Sequence, residues 1–346
     1  MRDVVTYADS GVDLEAARRA KSRIAELVEG TRTDAVVSRF GSFGGRFTAT
    51  PGRDLVASAD GVGTKLKIAF LTGRHDTVGA DLVNHCVDDI LTEGARPLVF
   101  MDYIGCGVLD PDVVADVVAG LATACTANRC ALVGGEMAEM PGFYADGEYD
   151  LAGFIVGEAA WPELGERDPA AGDVLIGLPS SGFHTNGYSL VRKLVFDRLD
   201  LAVGDPFPGE DGATVGDVLL RTHRSYLREL ESSLDAGRIR ALAHITGGGL
   251  PGNVDRVLGA GVDAVIDTGT WDVPNPFRVM QEASGAPPAE MFSTFNMGIG
   301  MVAIVRQADA DAVLGDLREA ECAAFVCGEV TAGSGRVRIV GGDGPA

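Results

Sequence analysis

Two hydrophobic periods alternate between residues 82 and 157, and that alternation limits the folds open to this chain. Leu82, Val83, Cys86, Val87, Ile90 and Leu91 recur at helical spacing and stop at Gly94. Behind Pro97, LVFMDYI (Leu98 to Ile104) is a continuous apolar run of strand length. Val113, Val114, Val117, Val118 and Leu121 return to the helical period, and CALVGG (Cys130 to Gly135) and YDLAGFIVG (Tyr149 to Gly157) supply two further strands. Strands and helices alternating across short connections predict a layered α/β (α+β) domain.

Upstream, Leu14, Ala17, Ile24, Leu27 and Val28 predict a helix from Asp13, its cap, to Gly30, its stop. FGSFGG (Phe40 to Gly45) then interrupts with glycines, and LVASAD reads as a short β segment. Downstream, ERDPAAGD (Glu166 to Asp173) turns polar before GDVLIGLPSSG opens a new strand, which places a domain boundary there and divides the chain into 1–167 and 168–346. A chain of 346 residues exceeds the roughly 250 to 300 that one core sustains, consistent with two domains. The second half predicts helices over Tyr188 to Leu199, Val215 to Leu234, Pro251 to Leu258, Phe277 to Ala283 and Ala308 to Glu321. Strands are expected over Ile239 to Ile245, Ala264 to Ile266 and Gly298 to Val305, with two more at the end.

Charge limits the partners. With 29 basic against 50 acidic residues the net charge is −21, which repels nucleic acid at long range and obliges the fold to build local positive spots for any anionic ligand. No apolar run approaches the roughly 18 residues that cross a bilayer, and MRDVVTYADSG lacks a basic-then-apolar leader, so a cytoplasmic protein without a membrane partner is expected. Cys86, Cys106, Cys125, Cys130, Cys322 and Cys327 lack zinc-ribbon spacing and are expected as buried free thiols.

ASADGVGTKLKIAF (Ala57 to Phe70) gathers an aspartate, two glycines, a threonine and a lysine beside an apolar run. A Walker loop needs Lys directly after the last Gly and Ser or Thr after Lys; here Lys65 follows Thr64, so that nest is excluded. What remains is Asp60 at a strand end, Gly61 and Gly63 as flexible points, then Thr64 and Lys65. A hard divalent cation takes carboxylate and phosphate oxygens, and a lysine neutralises the same phosphates; the alternative is a plain turn with a solvated Asp and Lys.

In CVDDILTEGARPLVFMDY, Asp88 and Asp89 are helix neighbours whose directions diverge by about 100°, so one is expected to face a site and the other water. Asp89 lies one turn beyond His85, and Asp88 one turn beyond Asn84. Acids late in a helix oppose its dipole, which favours a nearby cation. GGEMAEMPG delivers Gly135 and Glu136 at a strand end, and Asp60, Asp89 and Glu136 together make an oxygen-ligand set suited to Mg²⁺. SSGFHTNGYSLVRK places Ser180, Ser181, Gly182, His184, Thr185 and Asn186 before an amphipathic helix, a natural anion site, and Gly247, Gly248 and Gly249 precede another. TFNMGIGM is either a site element or a bend.

These segments together resemble the phosphoribosylformylglycinamidine cyclo-ligase (aminoimidazole ribonucleotide synthetase) family over nearly the whole chain. The resemblance rests on YADSGVD, FGSFGG, ADGVGTKLK, RHDTVGADLV, the spacing of Asp89, Gly94, Ala95 and Pro97, GGEMAEMPGFY, SSGFHTNGYSLVRK, HITGGG and TFNMGIGM. It implies ATP-dependent closure of formylglycinamidine ribonucleotide to aminoimidazole ribonucleotide, in a homodimer whose N-terminal sheets join into a barrel with ATP near the interface. It further implies Mg²⁺ on Asp60, Asp89 and Glu136, and a phosphate contact from Lys65. Gly41, Ser42, Phe43, Gly44 and Gly45 would close over the nucleotide beside Gly61, Gly63, Thr64 and Gly135. His184 would orient substrate or move a proton, with Ser180, Ser181, Gly182, Thr185, Asn186 and Gly247 to Gly249 holding the ribose phosphate.

The chain departs from the family pattern at three places. Relatives commonly have Thr where Met137 stands and Asn where Asp88 stands, and some have Lys where Ala25 stands, which leaves Lys21 as the nearest substitute. Met137 removes a hydroxyl beside Glu136, while Asp88 adds negative charge near the implied metal. Other ATP-using enzymes of the superfamily (selenophosphate synthetase, thiamine-phosphate kinase, hydrogenase-maturation proteins) fit less well, since no reactive Cys lies near the N-terminus and none ends the chain. A non-catalytic nucleotide-binding paralogue draws support only from Met137 and Asp88.

Overall fold

The computed structural model describes residues 4–12, 14–164 and 168–341; the expected cap Asp13 and the expected boundary at 167/168 touch residues outside this range. Strands β1 (Gly45–Thr50), β2 (Arg53–Gly61), β3 (Ala95–Cys106), β4 (Ala131–Glu139) and β5 (Tyr149–Ala159) form a five-stranded sheet in the order β1-β2-β5-β3-β4. β3 and β4 are parallel and the other pairs antiparallel. β1 was not foreseen, because glycines and alternating polar residues masked it. Strands β6 (Val174–Pro179), β7 (Ile239–His244), β8 (Val262–Asp267), β9 (Ile299–Val305), β10 (Phe325–Ala332) and β11 (Val337–Val340) form a six-stranded sheet in the order β11-β8-β10-β6-β9-β7.

Two long helices, Asp76–Thr92 and Pro111–Ala127, cover one face of the first sheet. Asp110 caps the second by accepting from the amides of Asp112 and Val113, with Pro111 at its first position. The two helices approach closely at Gly79 and Gly120, where a Cβ would overlap the backbone of Val117 and of Asp76 respectively. The 76–92 helix also packs against β7 of the second sheet and against the Leu227–Asp235 helix. Enclosed on both sides, it buries Asp81, His85, Asp88 and Asp89 as well as its apolar stripe.

Several expectations shift. The helix foreseen over 215–234 is two helices, Val215–Leu219 and Leu227–Asp235. Between them, residues 220–226 run irregularly and insert His223 and Tyr226 into the junction, both essentially buried. The helix foreseen over 188–199 is α-helical for Tyr188–Arg192 and widens to π-helical turns over Lys193–Arg198. Ile24 and Leu27, whose spacing predicted the Leu14–Glu29 helix, are 45% and 74% exposed. All six cysteines are buried free thiols.

The face of the first sheet away from the helices is bare. Register sets Phe47, Phe154 and Met101 on that face, and each is at least 41% exposed.

Candidate active site at the junction of the two halves

Asp60, the penultimate residue of β2, directs its carboxylate to the helix side of the sheet, where Oδ2 meets His85 Nε2 at 2.7 Å. One turn further along the helix, Asp89 Oδ2 lies 4.0 Å from the same nitrogen. A single imidazole thus sits between two carboxylates, and His85 Nδ1 lies 2.8 Å from Thr185 Oγ1 of the second half. Burial works against charge on His85, but Asp60, Asp89 and Asp88 outweigh it and raise the imidazole to about 9. His85 is therefore an imidazolium at neutral pH. Burial in turn pushes Asp60 up, yet the imidazolium and the Gly61 amide hold it below the usual carboxylate range.

Asp89 is more enclosed. Its Oδ1 lies 2.9 Å from His244 Nδ1, at the end of β7, and its Oδ2 accepts from Ser58 Oγ at 3.1 Å. Asp88 is fully buried, with Oδ1 accepting from the Tyr226 amide. The expectation that one of this pair faces water fails because the helix is walled by the second half on the side that would otherwise be solvent.

The glycine loop closes over this cluster. Phe43 N donates to Glu93 Oε1, and the Ser58 hydroxyl, whose single proton Asp89 shares, lies 3.2 Å from Phe43 O. Arg256 lies 3.5 Å from the centre of the Phe43 ring and donates to Gly41 O, so a cation from the second half caps the loop. Sequence reading did not single out Arg256.

Lys65 is turned away from the phosphate role expected of it. It is fully buried, with Nζ 2.7 Å from Asp81 Oδ2 and 2.7 Å from the Arg221 carbonyl oxygen. Burial lowers its pKa against the pull of Asp81. Asp81 also accepts from the His223 amide at 2.6 Å, so this ion pair ties the first half to the 220–226 segment. Thr64 stays exposed beside Ser189, 3.1 Å between hydroxyls.

His184, expected near a ligand, is fully buried in a left-handed conformation (φ 60°) and stacks on His223 with ring centres 4.0 Å apart. Burial drives its pKa well below the usual range, so it is neutral. Ser180 and Ser181 are spent internally, donating to Asn296 Oδ1 and to the Thr222 carbonyl oxygen. Asn186 is different: its Nδ2 is buried without a partner, and its Oδ1 lies beside Gly247. Gly247 and Gly248 line a cleft of ≈ 610 Å³ with Lys21, Ser293 and Arg336, two cations against the single acid Asp255. Gly249 lies behind it with φ 61°, where a side chain would overlap the Phe292 backbone.

Glu136 is not brought to this cluster within one chain. It pairs with Tyr103, which pairs with Ala152, which pairs with Gly61, so three strand spacings, about 14 Å, separate it from the end of β2. The same register puts its side chain on the bare face, opposite to that of Asp60. Gly135 is held against Asp102.

Both Asp60 and Asp89 already accept through each oxygen, but the Asp60 carboxylate is 41% exposed while that of Asp89 is enclosed, so a nucleotide-bound hard cation has access at Asp60 and not at Asp89. Four of the five histidines meet here, although the sequence singled out only His184 and, as a neighbour of Asp89, His85, and His223 lay in a stretch read as helix.

Comparison with known proteins gives the family of the chain. Residues 32–159 match the AIR synthase related protein N-terminal domain, and residues 170–341 the AIR synthase related protein C-terminal domain. The phosphoribosylformylglycinamidine cyclo-ligase of Trichlorobacter lovleyi is 48% identical over 330 residues, 94% of either chain. That of Alkaliphilus metalliredigens is 44% identical over 338 residues, 96% of this chain and 97% of its own. Among solved structures, thiamine monophosphate kinase from Aquifex aeolicus superposes with TM-score 0.61 at 15% identity, covering 93% of this chain and 97% of its own. E. coli HypE, a hydrogenase maturation protein, gives 0.61 at 20% identity and 84% of each chain, a likeness of fold alone. With two curated cyclo-ligases above 40% identity along almost its full length, this chain belongs to the phosphoribosylformylglycinamidine cyclo-ligase (AIR synthase) family.

Proposed function

We propose that this chain catalyses the ATP-dependent cyclisation of formylglycinamidine ribonucleotide to aminoimidazole ribonucleotide, with release of ADP and phosphate, in purine biosynthesis. The single observation that carries the reading is the full-length relation to cyclo-ligases, joined to a junction where both halves contribute to one charged cluster. An amide oxygen is a poor leaving group. Transfer of the γ-phosphoryl group to the formyl oxygen converts it to a good one; the amidine nitrogen then attacks the formyl carbon, the C–O bond breaks, phosphate leaves and the nitrogen gives up a proton. Such a transfer needs charge management and positioning more than a nucleophile.

In this reading Mg²⁺ bound with ATP neutralises phosphate charge. Asp60 would hold it directly, with Asp89 aligned behind by Ser58 and His244. The His85 imidazolium is positioned to offset developing negative charge next to Asp60. The 41–45 loop, pinned by Arg256, covers the nucleotide with Gly61, Gly63, Thr64 and Gly135 near the phosphates. Lys65 serves by fixing Asp81 and the 220–226 segment. His184, neutral and buried, sets the orientation of His223 and Thr185 around the substrate. The cleft with Lys21, Arg336 and Gly247 to Gly249, close to Asn186, accepts the ribose 5′-phosphate, which gives Lys21 the part that lysine plays at position 25 in some relatives.

The division of labour follows at about 167/168, with nucleotide and dimer functions before it and substrate functions after it. The bare face carrying Phe47, Met101 and Phe154 supports a homodimer closed sheet to sheet, working in the cytoplasm, in which Glu136 on that face would reach a nucleotide only in the assembled pair. Among the described residues no helix is long and apolar enough to cross a membrane.

Incubation with formylglycinamidine ribonucleotide, ATP and Mg²⁺ should yield aminoimidazole ribonucleotide and ADP in equal amounts. ATP binding without product at enzyme concentrations matching substrate would instead indicate a non-catalytic paralogue.

A further inference from the structure

We infer that Asp88, His223 and His244 form a second cation site, chosen for a borderline transition-metal ion of the Zn²⁺ class and separate from the nucleotide's Mg²⁺. His223 Nε2 and His244 Nε2 are 3.1 Å apart, and Asp88 Oδ2 lies 3.4 Å from the first and 3.9 Å from the second. A point equidistant from these three atoms lies about 2.0 Å from each, the bond length of imidazole and carboxylate ligands to Zn²⁺. Two imidazoles and one carboxylate select such ions over Mg²⁺, which prefers oxygen alone.

Each ligand is held from behind through its other polar atom. His244 Nδ1 meets Asp89 at 2.9 Å, the carboxylate–histidine arrangement that fixes the tautomer and leaves Nε2 with its lone pair. His223 Nδ1 faces Thr185 Oγ1 at 3.4 Å, and Asp88 Oδ1 accepts from the Tyr226 amide at 2.9 Å. The remaining atom, Asp88 Oδ2, is buried with no hydrogen-bond donor. An empty hydrogen-bonded cluster accounts for the contact between the two imidazoles but leaves that oxygen bare, which a fully buried carboxylate does not tolerate cheaply. A cation satisfies it. Because Asp88 comes from the first half and both histidines from the second, the ion would clamp the halves together behind the nucleotide cluster.

The test uses the full-length protein, purified without chelators, loaded with Zn²⁺ or Co²⁺ and desalted. About one Zn²⁺ per chain by elemental analysis is expected, and Co²⁺ should give visible ligand-field bands with shifted imidazole nitrogen resonances for His223 and His244. Asp88→Asn and His223→Gln should each lower the bound metal at least tenfold with the circular dichroism spectrum kept. Asp60→Asn should keep the Zn²⁺ while losing turnover, which separates this site from the nucleotide's cation. Absence of stoichiometric Zn²⁺ and of Co²⁺ bands in the wild type would overturn the inference, as would metal retained undiminished in both variants. Should the variants not fold, the wild-type imidazole resonances decide: unmoved on Zn²⁺ addition, they reject the site.

Discussion

Every side chain along β9 is buried, whereas along β4 not one is. β9 lies between β6 and β7, at the end of the sheet where strands meet packed residues on both faces, so its sequence IGMVAIV has no polar alternation. The first sheet is covered by helices on one face only and leaves Phe47, Met101 and Phe154 in solvent on the other. A small globular half does not retain such a face without a partner. The difference sets the bare face of the first sheet apart as the surface on which the proposed dimer would close.

Four substitutions probe that contrast, in order of falling effect on stability. Val302→Asp, at a fully buried point of β9, should destabilise the fold by at least about 5 kcal/mol, read as loss of soluble protein or collapse of the urea midpoint. Lys65→Met should cost about 3–5 kcal/mol by leaving Asp81 buried and unpaired, and Lys65→Met combined with Asp81→Leu should recover most of it. Recovery of stability without recovery of turnover would sharpen the role assigned to this pair; failure to recover stability would contradict it. Gly120→Ala, which forces a methyl group into the Asp76 backbone, should lower stability by about 1–3 kcal/mol through the helix pair alone. Phe154→Glu should leave monomer stability within about 0.5 kcal/mol yet shift sedimentation from dimer to monomer. A variant that stays dimeric, or a wild type that is monomeric, would remove the meaning given to the bare face.

Much of this contrast was legible in the sequence, and the exceptions have physical causes. The strands at 98–104 and 299–305 and the helices around 82–91 and 113–121 announce themselves because local period and burial agree. The break at 220–226 does not, because the segment is held by Asp81, Asp88 and Asn84 from another part of the chain and not by its own propensity. Asp60 and Asp89 were legible as a pair of acids at element ends. The inward turn of Lys65 was not, since a lysine beside glycines reads the same whether it faces phosphate or Asp81. His223, His244 and Arg256 are isolated in the sequence, and only the packing of the second half onto the 76–92 helix unites them with Asp60 and Asp89.

Ring-closing turnover of Asp60→Asn measured against the wild type, with ATP and with Mg²⁺ varied, bears most directly on the claim that nucleotide chemistry takes place at this junction. A fall of at least about a hundredfold with the fold and Zn²⁺ content intact is the expected result. Near-wild-type rates at low Mg²⁺ would contradict it and move the chemistry elsewhere in the molecule.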